Sequence, residues 1–132
     1  MKNIILLAFS VLLFACSSTR TGPSPREEKR NWITAYKNTA FIGCLKAHDS
    51  TIMKQDVSES LNTDLLGDYS MIRQADSLGR AYYQKIKPSP ILDLQQKKLV
   101  IDQALEFYTS KSLDSIARVQ FSTFQKNMKN AY

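Results

Sequence analysis

From Trp32 to Met128 the apolar residues recur every three or four positions, and alternation with period two is absent over any useful length. This pattern excludes a sheet and predicts an all-α fold, a small bundle of about five amphipathic helices. The first helix is expected over Asn31 to Ala47, with Trp32, Tyr36, Ala40, Cys44 or Gly43, and Ala47 on one face. The second is expected over Ile52 to Leu66, with Met53, Val57, Leu61 and Leu65 on its stripe and Gly67 as its stop. Asp68 or Ser70 can cap a third helix that carries Ile72, Ala75, Tyr82 and Ile86. Lys87-Pro88-Ser89-Pro90 then removes two backbone donors and fixes two φ angles, so no helix passes through. The fourth helix is expected from Leu92 or Leu94 to Tyr108, and the fifth, capped by Ser110, runs on past Phe124.

The start of the chain has a different character. Met1-Lys2-Asn3 precedes an almost unbroken apolar run from Ile4 to Ala15, followed by Cys16. A span needs roughly 20 apolar residues, so this run is too short to anchor the chain and reads instead as a secretory signal over residues 1–15. Leu13-Phe14-Ala15-Cys16 resembles a bacterial lipobox, which implies cleavage before Cys16, a diacylglycerol on its thiol and acylation of its new amino group. The other reading is an ordinary signal peptide that contains a cysteine. Residues 16–30, the lipidated cysteine and a tether rich in Ser, Thr, Gly and Pro, bury nothing, and residues 31–132 form the helical domain. Two or more acyl chains hold a protein on a membrane far more firmly than one. The expected location is therefore the periplasm, on an envelope membrane, with the outer one favoured because Ser17 follows Cys16. There is no ATP there for phosphoryl transfer and no nucleic acid to bind. The net charge of +6 counts Lys2, which leaves with the signal. The remaining excess is a solvated basic surface, or favours an acidic partner or anionic headgroups.

Little in the domain points to catalysis. The single histidine, His48, lies four residues after Cys44, so both share a helix face. A thiol–imidazole dyad needs an orienting group and an oxyanion hole, and a zinc site needs at least one more strong ligand. Neither set is present in the sequence, nor is a glycine-rich phosphate loop or a spacing of paired acid and base. The expectation is that the protein is not an enzyme, with no cofactor and no metal. Cys44, without a partner once Cys16 is lipidated, is either buried as a small apolar residue or paired with another chain.

Ile42-Gly43-Cys44-Leu45, the Asp56 to Tyr69 region, and Ala104-Leu105-Glu106-Phe107-Tyr108-Thr109-Ser110-Lys111-Ser112-Leu113-Asp114 together resemble the immunity proteins of type VI secretion amidase effectors. The resemblance covers most of the chain from about Trp32 to Phe121. The family's stretch typically reads Cys-Leu-x-x-Tyr-x-Ser-x-x-Leu-Asp, and here Ala104 stands where its second cysteine would be. A bridge from Cys44 is therefore not possible at that place, although two small apolar residues can still meet in a core. The resemblance implies a periplasmic inhibitor, often a homodimer, that binds a secreted peptidoglycan amidase effector and pushes a loop into the cleft holding that enzyme's cysteine and histidine. The loop it would use here is Lys87, Pro88, Ser89, Pro90, Ile91, Leu92 and Asp93, stiffened by its prolines before binding. The competing reading makes this a stiff turn, with Ile91 and Leu92 starting the core of the fourth helix. An alternative function for the whole chain is a small structural or adaptor lipoprotein of the envelope, without inhibitory activity.

Overall fold

The computed structural model describes residues 22–94 and 97–130; the signal and Cys16 lie outside them. Five α-helices follow one another: α1 Pro25–His48, α2 Ser58–Leu66, α3 Tyr69–Tyr83, α4 Val100–Thr109 and α5 Lys111–Asn130. The all-α bundle expected from the apolar period is the fold.

Helix α1 is the axis on which the others pack, and it starts six residues before the expected Asn31. The cause is local. The Ser24 hydroxyl accepts from the Glu27 amide, the Glu27 carboxylate accepts from the Ser24 amide, and Pro25 takes the first helical position, where no donor is missed. The helical domain thus includes residues 25–30, placed in the tether on composition alone. Helix α2, in contrast, begins later than expected. The Asp49 carboxylate accepts from the Thr51 amide and hydroxyl, and the Asp56 carboxylate accepts from the Ser58 amide. These side chains compete with the helix for its donors, so residues 50–55 turn rather than coil. Gly67 ends α2 in the left-handed conformation at φ 63°. Asp68 caps α3 by accepting from the Ser70 amide, and Ser110 caps α5 by accepting from the Leu113 amide.

Helices α1 and α3 touch through their backbones. Small residues line both sides of the crossing: Ala40, Gly43 and Cys44 on α1, Ala75 and Gly79 on α3. A Cβ on Gly79 would collide with the Ala40 carbonyl oxygen, and one on Gly43 would lie 2.5 Å from the Asp76 carbonyl oxygen. On either side of this crossing lies a core cluster. The larger joins α1 to α5: Trp32 stacks on Tyr36, meets Phe121 edge-on and stacks on Phe124, while its indole N–H donates to the Leu66 carbonyl at 3.2 Å. The smaller, toward the end of α1, is Cys44, Ile86, Val100 and Ala104. Cys44 and Ala104 do meet in the core, as two small apolar side chains without a bridge.

Candidate functional site

The segment between α3 and α4 is pinned at its base. The Ser89 backbone amide donates to the Lys97 carbonyl at 2.8 Å, Pro88 and Lys98 form an isolated antiparallel bridge, and the Gln103 side-chain amide donates to the Lys87 carbonyl. Ser89 is 3% exposed and its hydroxyl accepts from the Ile91 amide at 3.2 Å, which turns the chain outward. The two prolines flank this buried serine and stiffen the ascending arm.

Beyond the pin the loop presents apolar side chains to water. Ile91 is 55% exposed and Leu92 81% exposed, and Leu92–Leu94 closes the tip as a short 3₁₀ turn. Ile91 and Leu92 therefore do not begin the core of α4, which starts only at Val100. Val100, the first residue of that helix, is buried. Lys87, Pro90 and Asp93 are exposed beside them. Of the seven residues read from the sequence as a partner-binding loop, only Ser89 is buried, and it is the one that shapes the loop.

Lys98, bridged to Pro88 at the base of the loop, also lines one end of an apolar groove that the sequence reading missed. A stripe of α1, Asn38, Phe41 and Leu45, forms its floor. Ile52, Met53 and Leu61 line one side, and Leu99, Ile101 and Leu105 line the other. Ile101 is 63% exposed, although it sits in a short helix with strong apolar patterning. The signal was present: α4 carries apolar residues at Leu99, Val100, Ile101, Ala104, Leu105 and Phe107, more than one face can bury.

Cys44 and His48 do not form a reactive pair. The Cys44 side chain is fully buried, and burial pushes its thiol pKa up, the opposite of what a nucleophile needs. His48 is exposed at the end of α1, where Nδ1 lies 3.3 Å from the Tyr83 hydroxyl. Lys98 Nζ sits 4.4 Å above the other side of this contact, over the Tyr83 ring. Among the described residues no group of three or more His, Cys, Asp or Glu could hold a metal ion, and no helix is long and apolar enough to cross a membrane. Comparison with known proteins finds no matching family model, no matching curated protein and no matching solved structure.

Proposed function

We propose that this protein is an immunity protein: a periplasmic lipoprotein that binds a peptidoglycan amidase delivered by type VI secretion and blocks its catalytic cleft. The observation that carries the reading is the loop of residues 87–93. It is fixed at its base before any partner arrives, and it holds Ile91 and Leu92 in water. Exposing two large aliphatic side chains at a rigid tip has no benefit for the isolated domain. It suits an anchor that fills a slot in a partner, since little entropy is lost when a preorganised loop docks. Asp93 at the tip can meet a cationic group of the cleft, and Lys87 an acidic rim. The groove reaches the base of the loop through Lys98, so the interface would extend from the loop into the groove.

Inhibition of this kind asks for no reactive group in the inhibitor. The resemblance of Ile42–Leu45 and Ala104–Asp114 to amidase immunity proteins supports the same reading. Tethering through Cys16 would keep the inhibitor where an incoming amidase meets the cell wall.

The test is biochemical. The proposal expects a small secreted amidase encoded beside the gene; the mature chain, residues 16–132, is mixed with that enzyme, and release of peptides from peptidoglycan is followed. A stoichiometric complex with hydrolysis abolished is the expected result. A complex that leaves hydrolysis intact would favour the adaptor reading, and no complex with any neighbouring amidase would overturn the proposal.

A further inference from the structure

The charge of the domain is unevenly placed. The first half of α1, residues 25–37, and α5 together carry eight Lys and Arg against three Asp and Glu. The rest of the described chain carries eight against nine. Helix α5 runs back along α1, with Asp114 beside Lys37 and Phe121 beside Lys29, which puts five of these cations on one face with Glu27 and Asp114. Between the two helices lies a cleft of about 570 Å³ whose cations are Arg26, Lys29, Arg30, Lys37 and Arg118. Asp114 pairs with Arg118 at 2.6 Å and Lys37 at 3.8 Å, and Glu27 is engaged in the cap of α1. No ion pair among the described residues holds Arg26 or Arg30, and both are exposed.

We propose that this α1–α5 face is a docking surface for anionic phospholipid headgroups, with phosphodiester groups entering the cleft between Arg26, Arg30 and Arg118. The proposal rests on the lipid-anchor reading of Cys16. Eight residues, 17–24, lie between Cys16 and Pro25, a reach of about 30 Å over the nine steps, so the anchor delivers this end of the domain to the bilayer. Two or more acyl chains supply the hydrophobic part of the attachment, and the basic face supplies the electrostatic part. The consequence is an orientation. His48, beside the groove, is about 33 Å along α1 from Arg26, at 1.5 Å per residue. A domain lying with its basic end on the membrane holds the His48 end of the groove farthest from it, while the near end of the groove, at Asn38 and Tyr108, adjoins the basic cleft.

The experiment uses the mature chain, residues 16–132, made without its acyl groups, and sediments it with vesicles of phosphatidylcholine alone or mixed with phosphatidylglycerol. Binding to the mixed vesicles only is expected. Arg26→Gln/Arg30→Gln should weaken it about 30-fold, at about fivefold per basic residue near an anionic surface. Arg26→Lys/Arg30→Lys should retain it, and so should Lys54→Gln/Lys85→Gln, which removes the same charge elsewhere. Equal binding to neutral vesicles, or an equal loss in the Lys54/Lys85 variant, would overturn the proposal. Inorganic phosphate, at an ionic strength matched with chloride, separates the two sources of phosphate: release by phosphate alone would make the cleft a soluble-anion site and overturn the membrane assignment. Acylation of Cys16 is read separately from the mass of the membrane-extracted protein. Absent vesicle binding with Cys16 acylated overturns the face and leaves the anchor standing.

Discussion

Where α1 begins, the core is built of large rings: Trp32, Tyr36, Phe121 and Phe124 pack against one another, and the indole N–H is satisfied by a backbone carbonyl. Where α1 ends, the core is Cys44, Ile86, Val100 and Ala104, and several aliphatic side chains around it remain in water. Aromatic side chains bury far more area each than small ones, so the first region supplies most of the cohesion of this small domain. The second packs backbones closely and leaves Ile91, Leu92, Ile101 and Leu105 unspent. On the proposed reading the difference separates stability from recognition: one end holds the bundle together, and the other would keep apolar surface for a partner.

Substitutions at the aromatic end should therefore cost the most stability. Trp32→Ala removes the stacked ring at the centre of the larger cluster and leaves the Leu66 carbonyl without its donor. A loss of about 3–5 kcal/mol in chemical denaturation is expected. A loss below about 1 kcal/mol would show that the two ends are equally cohesive. Gly79→Ala is next. Its methyl group meets the Ala40 carbonyl, so α1 and α3 must move apart, at a cost of about 1–3 kcal/mol. Cys44→Ser places a hydroxyl in the small cluster, where its lost hydration is replaced only if it finds a carbonyl. The expected loss is about 1–2 kcal/mol by the same measurement, with inhibition of the amidase intact because the thiol only packs.

The smallest effect comes from acid. Hydrogen bonds from Ser70 hold the Asp68 carboxyl below its ordinary range, side-chain bonds from Thr51 and Ser58 do the same for Asp49 and Asp56, and the Arg118 bond does so for Asp114. A depressed folded-state pKa stabilises at pH values above the unfolded pKa, and that contribution is lost as pH falls through the folded one. The thermal midpoint should stay flat from neutrality to about pH 5 and fall below about pH 4. These carboxylates cap turns and helix starts across the molecule, so the decline should not favour one end over the other. Exchange rates that rise first at the α2 and α3 starts, where Asp56 and Asp68 sit, would sharpen this further.

Much of the fold was legible because it depends on short-range rules. The apolar period identified the five helices, Lys87–Pro90 marked the break, and Asp68, Ser110 and Gly67 acted as the caps and stop their types favour. Of the boundaries that moved, the starts of α1 and α2 did so because a local hydrogen bond outweighed the apolar pattern, while α4 starts at Val100 rather than Leu92 or Leu94. Ser24 and Glu27 extended α1 into a stretch with no apolar period, and Asp49 and Asp56 unwound a stretch that had one. The Ser24-Pro25-x-Glu27 pattern was a readable capping signal. The pin of the loop was not readable, since the Ser89–Lys97 bond links residues whose approach depends on where α4 begins. Nor was the groove, which exists only because α2 and α4 stand on either side of one stripe of α1.

The most direct test of this division is Ile91→Ala/Leu92→Ala/Asp93→Ala in the mature chain, with the denaturation midpoint and amidase inhibition measured on the same sample. All three side chains are exposed, so stability should change by no more than about 0.5 kcal/mol while inhibition is lost. Full inhibition by a normally folded triple variant would remove the loop from the working surface and contradict the account.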